Sequence, residues 1–389
     1  MSIISKTTAG TSSSSSVVIE PSEVVLVTGA NGFIAQHCIA LLLKRGYRVV
    51  GTARTADKAK LVERTHHHHP CLSVVVVADI TSRESYLSVM RDSEPAAVVH
   101  MASPFSYDVE LSDFEANVMR PAVDGTLALL GAAAKAGTSC VRRVVLTSSL
   151  ACVLDPALGR GAGKTYTAED WSPLTYEDGV AAADAPSAYR ASKTAAERAA
   201  WDFVTKEKPA FDLVSLCPGM VFGPWLEGAE PRTLKGVNTS NEIVWDVLSA
   251  GGDARVPATR APVWVDVRDA AAAHVGALSG TRVGGKRYAV AAGVYCNQEI
   301  ADLCRGDPTT GPVGADGTGK SGCREGVRMT EEERRRVPVG QPGKREAHLH
   351  FAVDDGGRAE RELGIGGWRG LGECLGDLVP QLLAVERGC

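Results

Sequence analysis

Aromatic side chains are scarce, 5% of 389 residues, so a pocket built to sandwich a large planar ligand is not obviously encoded. A basic surplus is missing. Forty-two Lys and Arg face 46 Asp and Glu for a net charge of −4, which excludes the electrostatic footprint of a nucleic-acid binder. Long hydrophobic runs are missing too. The longest, such as VVVV at 74–77, fall far short of the ~18 apolar residues of a membrane helix. The opening MSIISKTTAGTSSSSSVVIE lacks the apolar core of a signal peptide. It is Ser/Thr-rich and acid-poor, so organelle targeting stays open beside the favoured expectation, a disordered tail over residues 1–22. The ten cysteines form no CxxC pair. Zinc and disulfide frameworks therefore lack their spacing, and a reducing cytoplasm is the expected compartment. The run His66 to His69 has no second ligand cluster, so it reads as a surface loop rather than a metal site.

What is present is an alternation. EVVLVTG, YRVVGTAR, LSVVVVADI, AAVVHMAS, VRRVVLTSS and FDLVSLCPG read as strands, separated by helical stretches such as FIAQHCIALLLKRG and APSAYRASKTAAERAAWDFVTK. Continuous apolar strands between helices are the pattern of a parallel sheet covered on both faces. Residues 23–218 thus read as a doubly wound α/β core of Rossmann type. Residues 219–389 read mainly as a smaller mixed substrate-binding portion over the carboxyl ends of the strands, with some segments returning to the core. Stretches 156–165 and 305–326 read as insertions, the second Gly-rich and flexible.

Two glycine loops compete for a phosphate. GADGTGKS (314–321) matches GxxxxGK[ST] letter for letter, but no apolar strand precedes it and no apolar-striped helix follows, and both are needed to aim such a loop. With 41 glycines in the chain a chance match is unremarkable. VTGANGFIAQH (27–37) has the strand before and the helix after. Gly29 permits the tight turn, Gly32 lets backbone approach a diphosphate, and Ala35 permits close helix–strand packing. Asn31, Phe33 and Ile34 complete the loop. Near the end of the second strand, Arg54 and, four residues on, Lys58 are placed to neutralise a 2′-phosphate, which argues for NADPH with NADH less favoured; two solvated cations beside Asp57 are the alternative. Asp79, followed by Ile80, ends the third strand, either to accept the adenine amino group or to cap the strand end.

YRASK places Tyr189 and Lys193 one helical turn apart, on one face. A nearby ammonium favours phenolate over phenol, bringing a group of pKa ~10 toward proton exchange at neutral pH. VVLTSS ends the fifth strand with Ser148 and Ser149, where a hydroxyl can donate to a substrate carbonyl or serve as a turn cap.

TGANGFIA, Asp79, VVLTSS, YRASK and CPGMVFGP, in this order, resemble the extended short-chain dehydrogenase/reductase family. GTAR with Lys58, HMASPF, VWVDVRDAAAAHV and VPVGQPG narrow the resemblance to its dihydroflavonol-reductase-like branch, particularly fungal aldehyde and ketone reductases of the methylglyoxal reductase kind. It covers roughly residues 23–304 and resumes from about 335 to 386. It implies an NADPH-dependent carbonyl reductase with Ser149, Tyr189 and Lys193 as the catalytic set. It also implies backbone contacts to nicotinamide from Pro218 and Val221, cofactor contacts from Ala102, Ser103 and Ser240, and either pocket walls or core positions for Phe105, Met220 and Trp225. The expected activity is reduction of an aldehyde or ketone to an alcohol, with a small carbonyl compound as the partner and no fixed oligomeric state. Alternatives on the same scaffold are an NAD-dependent epimerase/dehydratase, a hydroxysteroid-type dehydrogenase, or a non-catalytic NADP(H) sensor.

Overall fold

Most of the apolar runs fold as strands buried between amphipathic helices, while the edge strand over Leu72–Val76 leaves Val75 and Val76 exposed. The computed structural model describes residues 17–103, 113–135, 141–156, 163–306, 327–345 and 352–388. β1 (Val24–Thr28) leads into α1 (Phe33–Lys44), followed by β2 (Arg48–Ala53), α2 (Ala56–Thr65), β3 (Leu72–Val76), α3 (Arg83–Ser93), β4 (Ala97–His100), α4 (Arg120–Lys135) and β5 (Arg143–Thr147). A short β6 (Thr165–Tyr166) and α5 (Tyr176–Val180) precede the long α6 (Ala185–Glu207) and β7 (Asp212–Pro218). Then come β8 (Met220–Phe222), α7 (Thr239–Ser249), β9 (Val263–Asp266), α8 (Val267–Ser279), β10 (Lys286–Val290), β11 (Gly293–Val294) and α9 (Asn297–Arg305). The chain closes with α10 (Glu331–Arg336), β12 (Ala352–Val353), α11 (Arg358–Leu363) and α12 (Leu371–Arg387). Among the described residues no helix is long and apolar enough to cross a membrane.

Seven strands form one sheet in the order β10-β7-β5-β4-β1-β2-β3, every neighbouring pair parallel. The order reverses between β1 and β4, which leaves a crevice at the carboxyl ends of the strands there. One face is packed with apolar residues of α1, α8 and α11, including Ile39, Val275 and Leu363. The other is packed by α3, α4 and α6, through Tyr86, Leu129 and Ala200. A second core, centred on Phe222, Trp264, Leu375 and Leu378, builds the C-terminal portion around a small sheet of β8, β9 and β11. Beyond residue 218, β10 joins the large sheet and α8 and α11 pack against it.

Two local readings need correction. The fold begins before residue 23: Ile19 is fully buried, its amide donates to the Leu278 carbonyl at 3.0 Å, and its own carbonyl accepts the Tyr47 hydroxyl at 2.9 Å. A single isoleucine outside any periodic run carries no signal of such docking. His66 is not a surface residue either. It is 8% exposed and donates Nε2–H to Gln36 Oε1 at 2.8 Å. His67 and His68 then turn the chain away from α2 with φ of 53° and 50°. The stretch GADGTGKS lies outside the described residues, as does the 305–326 insertion from residue 307 onward, its first two residues being the end and the cap of α9.

Arg143 ties the sheet together from within. Its side chain is 1% exposed and makes a two-pronged pair with Asp212, 2.7 Å at each oxygen. Its Nη1 donates to the carbonyls of Ala277, Leu278 and Gly280 at 2.8, 3.2 and 2.9 Å. Arg143→Met would leave Asp212 without its partner and the Ala277 and Gly280 carbonyls without this side-chain donor, while Leu278 keeps the Ile19 amide. Unfolding in urea should show a loss of roughly 3 kcal/mol, and an unchanged midpoint would contradict this assignment.

Candidate active site

The crevice at the switch point is a cleft of about 660 Å³. At one end lie Gly29, Gly32, Phe33 and Ile34, the turn from β1 into α1. Gly29 has φ +67°, and a β-carbon there would sit 3.0 Å from the Cα of Ala102, so both conformation and close approach require glycine. Gly32 caps α1 without a side-chain hydrogen bond, and the first turn holds no acidic residue. The opening amides of α1 therefore face an uncrowded, partly positive helix end suited to a diphosphate. Ala102 backs this loop rather than lining the cleft, while Ser103 reaches its wall. The amides of Met101 and Ala102 both donate to Thr28 Oγ1, at 3.1 and 3.0 Å. The Thr28 proton is thus left for His100 Nδ1, 2.8 Å away.

Ser149, Tyr189 and Lys193 line the same cleft. α6 brings the last two. It starts where Asp184 accepts from the Ser187 amide at 2.7 Å, with a proline in the first turn, and stops at Lys208 in the left-handed region. The Lys193 ammonium is buried and donates to the Thr147 carbonyl at 2.9 Å. Burial holds its pKa below the usual lysine range, opposed by nearby Glu197. Ser149 Oγ accepts from the Ala151 amide at 3.1 Å. The turn cap is therefore present, and accepting that bond leaves the hydroxyl proton to give. Ser148 also touches the cleft, but its proton goes to Glu197 Oε2 at 2.6 Å. That distinguishes the two serines.

A family model described as the NAD dependent epimerase/dehydratase family matches residues 25–291. The chain belongs to that family. It is 33% identical over 367 residues to an NADPH-dependent methylglyoxal reductase of Saccharomyces cerevisiae, spanning 93% of this chain and 98% of that protein. It is 37% identical over 366 residues to the ketoreductase azaE of Aspergillus niger, spanning 92% and 97%. The crystal structure of yeast methylglyoxal/isovaleraldehyde reductase complexed with NADPH matches with a TM-score of 0.81 at 31% identity, over 94% of this chain and 100% of that one. The resemblance drawn from the motifs to the extended short-chain dehydrogenase/reductases is thereby borne out.

The remaining expected residues of this epimerase/dehydratase-family member divide. Pro218, Met220, Val221 and Ser240 line the cleft. The Val221 amide donates to Ser240 Oγ at 3.2 Å, so this pair can meet a ligand through the Ser240 proton. Asn31 lies in the β1–α1 turn, off the cleft wall. Arg54 and Lys58 are exposed and do not share a helical turn. Arg54 lies in the bend just after β2, Thr55 caps α2 by accepting from the Lys58 amide at 3.3 Å, and Lys58 lies in the first turn. β3 stops at Val76, leaving Asp79 exposed in a turn where its Oδ1 accepts from the Thr81 amide and hydroxyl, each at 2.8 Å. These bonds hold its carboxyl below the usual range, so the capping alternative describes its side chain. Ile80 packs over Gly125 of α4. Trp225 takes the core alternative: it is 8% exposed, belongs to the C-terminal core, lies 6.1 Å from the Phe33 ring, and its backbone exchanges bonds with the Gln381 side chain. Phe105 lies outside the described residues.

Several wall residues escaped the sequence reading. Arg190, Asn238 and Arg260 line the cleft, and Arg190 was hidden inside a motif read only for its tyrosine and lysine. His274 of α8 donates Nδ1–H to the Ala270 carbonyl at 2.7 Å, so its Nε2 accepts the Thr147 hydroxyl at 2.9 Å. It thereby braces the residue that holds Lys193. Among the described residues no cluster of His, Cys, Asp or Glu is arranged for a metal.

Burial holds His37, His66 and His274 to about 4, and His100 to about 3, against the usual 6.5. Each stays neutral in the fold, so between about pH 6.5 and 4 the unfolded chain binds more protons than the native one. The contribution is complete above about pH 6.5 and is lost as the pH falls toward 4. Denaturation midpoints across that range should fall with acidity, and less steeply in His274→Gln; an identical slope in the variant would contradict the histidine assignment.

Proposed function

We propose that this protein reduces an aldehyde or ketone to the corresponding alcohol with NADPH. The observation that carries the reading is the convergence of Ser149, Tyr189, Lys193 and the Gly29–Gly32 loop on one cleft. The residues present fit the dinucleotide. A β-carbon at Gly29 would press on the Ala102 backbone and push the loop out of place, the α1 end carries no competing cap, and Arg54 and Lys58 offer exposed cations where β2 ends. The NADPH dependence named for the yeast relative supports the cofactor choice over NADH.

When bound, the dinucleotide supplies the hydride that reduces the carbonyl carbon. The protein's own part is to hold the carbonyl and deliver a proton. Ser149 donates its free hydroxyl proton as a hydrogen bond to the carbonyl oxygen, stabilising the charge that develops there. Tyr189 acts as the general acid and transfers its phenolic proton to that oxygen. Lys193, anchored at Thr147, keeps a positive charge near the phenol, which eases release of the proton. Beyond these groups the cleft is walled by Leu154, Tyr166, Met220, Pro262 and Val263, a surface suited to an apolar substituent on the carbonyl.

Tyr189→Phe should lower kcat by about 100- to 10,000-fold while NADPH affinity stays nearly intact; turnover equal to the parent would end the general-acid assignment. Arg54→Ala combined with Lys58→Ala should narrow the preference for NADPH over NADH by at least about tenfold, read from kcat/KM for each cofactor. An unchanged preference would return the choice to the NAD-dependent epimerase/dehydratase alternative.

A further inference from the structure

Tyr189, Lys193 and Glu197 follow one another at four-residue steps along α6, so they project from one face. The Glu197 side chain is 1% exposed and meets Arg287 of β10 through both oxygens, at 2.8 and 3.1 Å. The same carboxylate accepts the hydroxyls of Ser148 and Ser215, each at 2.6 Å. Arg287 donates in turn to the carbonyls of Ala168 and Asp170 at 2.6 and 2.7 Å, with its guanidinium 3.6 Å from the centre of the Trp171 ring. One buried pair thus joins α6 to β5, β7, β10 and the segment before α5, directly behind the proposed proton donor. The mechanism above does not use it.

Desolvation largely offsets the attraction within a buried pair, so stability alone is a weak reason for a carboxylate here. Its geometry suggests a better one. Lys193 grips the Thr147 carbonyl, and Glu197, one turn further along the same helix, grips the Ser148 hydroxyl. Two consecutive residues at the end of β5 are held by two side chains of α6, and Ser149 comes next. We propose that Glu197 is a positioning residue of the reaction: through Ser148 it fixes the end of β5 against α6, and so sets where Ser149 stands relative to Tyr189 and Lys193. This rests on the carbonyl-reductase reading.

The carboxylate also sets the local charge. Facing it are Arg287 from β10, Cys217 from β7, Cys152 beyond β5, and Lys193 on its own helix; Lys193 also faces His100 of β4. Burial raises both thiols and lowers the imidazole, so the charges in play are Glu197, Arg287 and Lys193. Neutralising Glu197 leaves Arg287 without its counter-ion and Lys193 without a nearby carboxylate, a surplus of positive charge. That surplus favours proton loss from the tyrosine–lysine pair, and the basic limb of the pH–rate profile moves to lower pH.

Ser148→Ala removes the clamp alone, and Glu197→Gln removes the charge while keeping the shape. Both are compared with the parent and with Tyr189→Phe for kcat, KM for NADPH, pH profile and Tm. Ser148→Ala is expected to lose roughly tenfold in kcat, with KM for NADPH and the basic limb unmoved. Glu197→Gln is expected to lose more and to shift the basic limb downward. Parental kcat in Ser148→Ala, a loss confined to KM or Tm, or an unshifted limb in folded Glu197→Gln would each overturn the proposal. If Glu197→Gln does not fold, the kcat of Ser148→Ala decides. An active Tyr189→Phe would instead overturn the reductase reading and this proposal with it, whereas an inactive one beside an unaffected Ser148→Ala sinks the proposal alone.

Discussion

An ammonium taken out of water needs a fixed partner, and for Lys193 that partner is a backbone carbonyl, the Thr147 oxygen at 2.9 Å. Much of the site follows from this contact. It sets the depth of α6 against the sheet and hence the place of Tyr189 one turn earlier. It ties the catalytic helix to the strand end that carries Ser149. Thr147 is itself braced from the opposite face of the sheet, where its hydroxyl reaches His274 of α8. The lysine is therefore positioned from both layers of helix at once, and a buried cation that cannot move can keep a phenol poised for proton transfer.

The fold explains why such a contact can face a dinucleotide. Reversal of strand order between β1 and β4 opens the sheet at its carboxyl edge, and the first helix enters that opening with its amides uncapped. β5 and β7 then end on the far side of the same opening, with Thr147, Ser149 and Pro218. The C-terminal portion closes the third side through β8 and the start of α7, where Ser240 and Met220 meet the cleft. The Gly29–Gly32 turn, the Ser149, Tyr189 and Lys193 side chains and the apolar wall lie along one continuous cleft.

The parts of this site that were legible in the sequence are those dictated locally. A glycine forced to positive φ beside another backbone, a strand running into it and a helix leaving it leave little freedom, and TGANGFIA could be read. The four-residue spacing of Tyr189 and Lys193 is a property of any helix and was equally plain. Other features depend on partners far along the chain. Glu197 lies 90 residues from Arg287, and nothing near either one announces the pair. Trp225 followed a recognisable CPGMVFGP motif, yet its ring belongs to the packing of α12 and the Phe33 edge, which no local pattern encodes. Arg54 and Lys58 were located correctly along the chain, but the start of α2 between them, fixed by the Thr55 cap, changed how they relate.

The central claim is that the dinucleotide lies across the switch point with its nicotinamide between Tyr189 and the end of β5. A crystal structure of the protein with NADP+ tests this most directly. The account predicts the diphosphate on the Gly29–Gly32 turn, and Lys193 and Tyr189 within hydrogen-bonding distance of the nicotinamide ribose. Density for the nucleotide elsewhere, such as on the glycine-rich stretch at 314–321, with the cleft beside Tyr189 holding none, would contradict it.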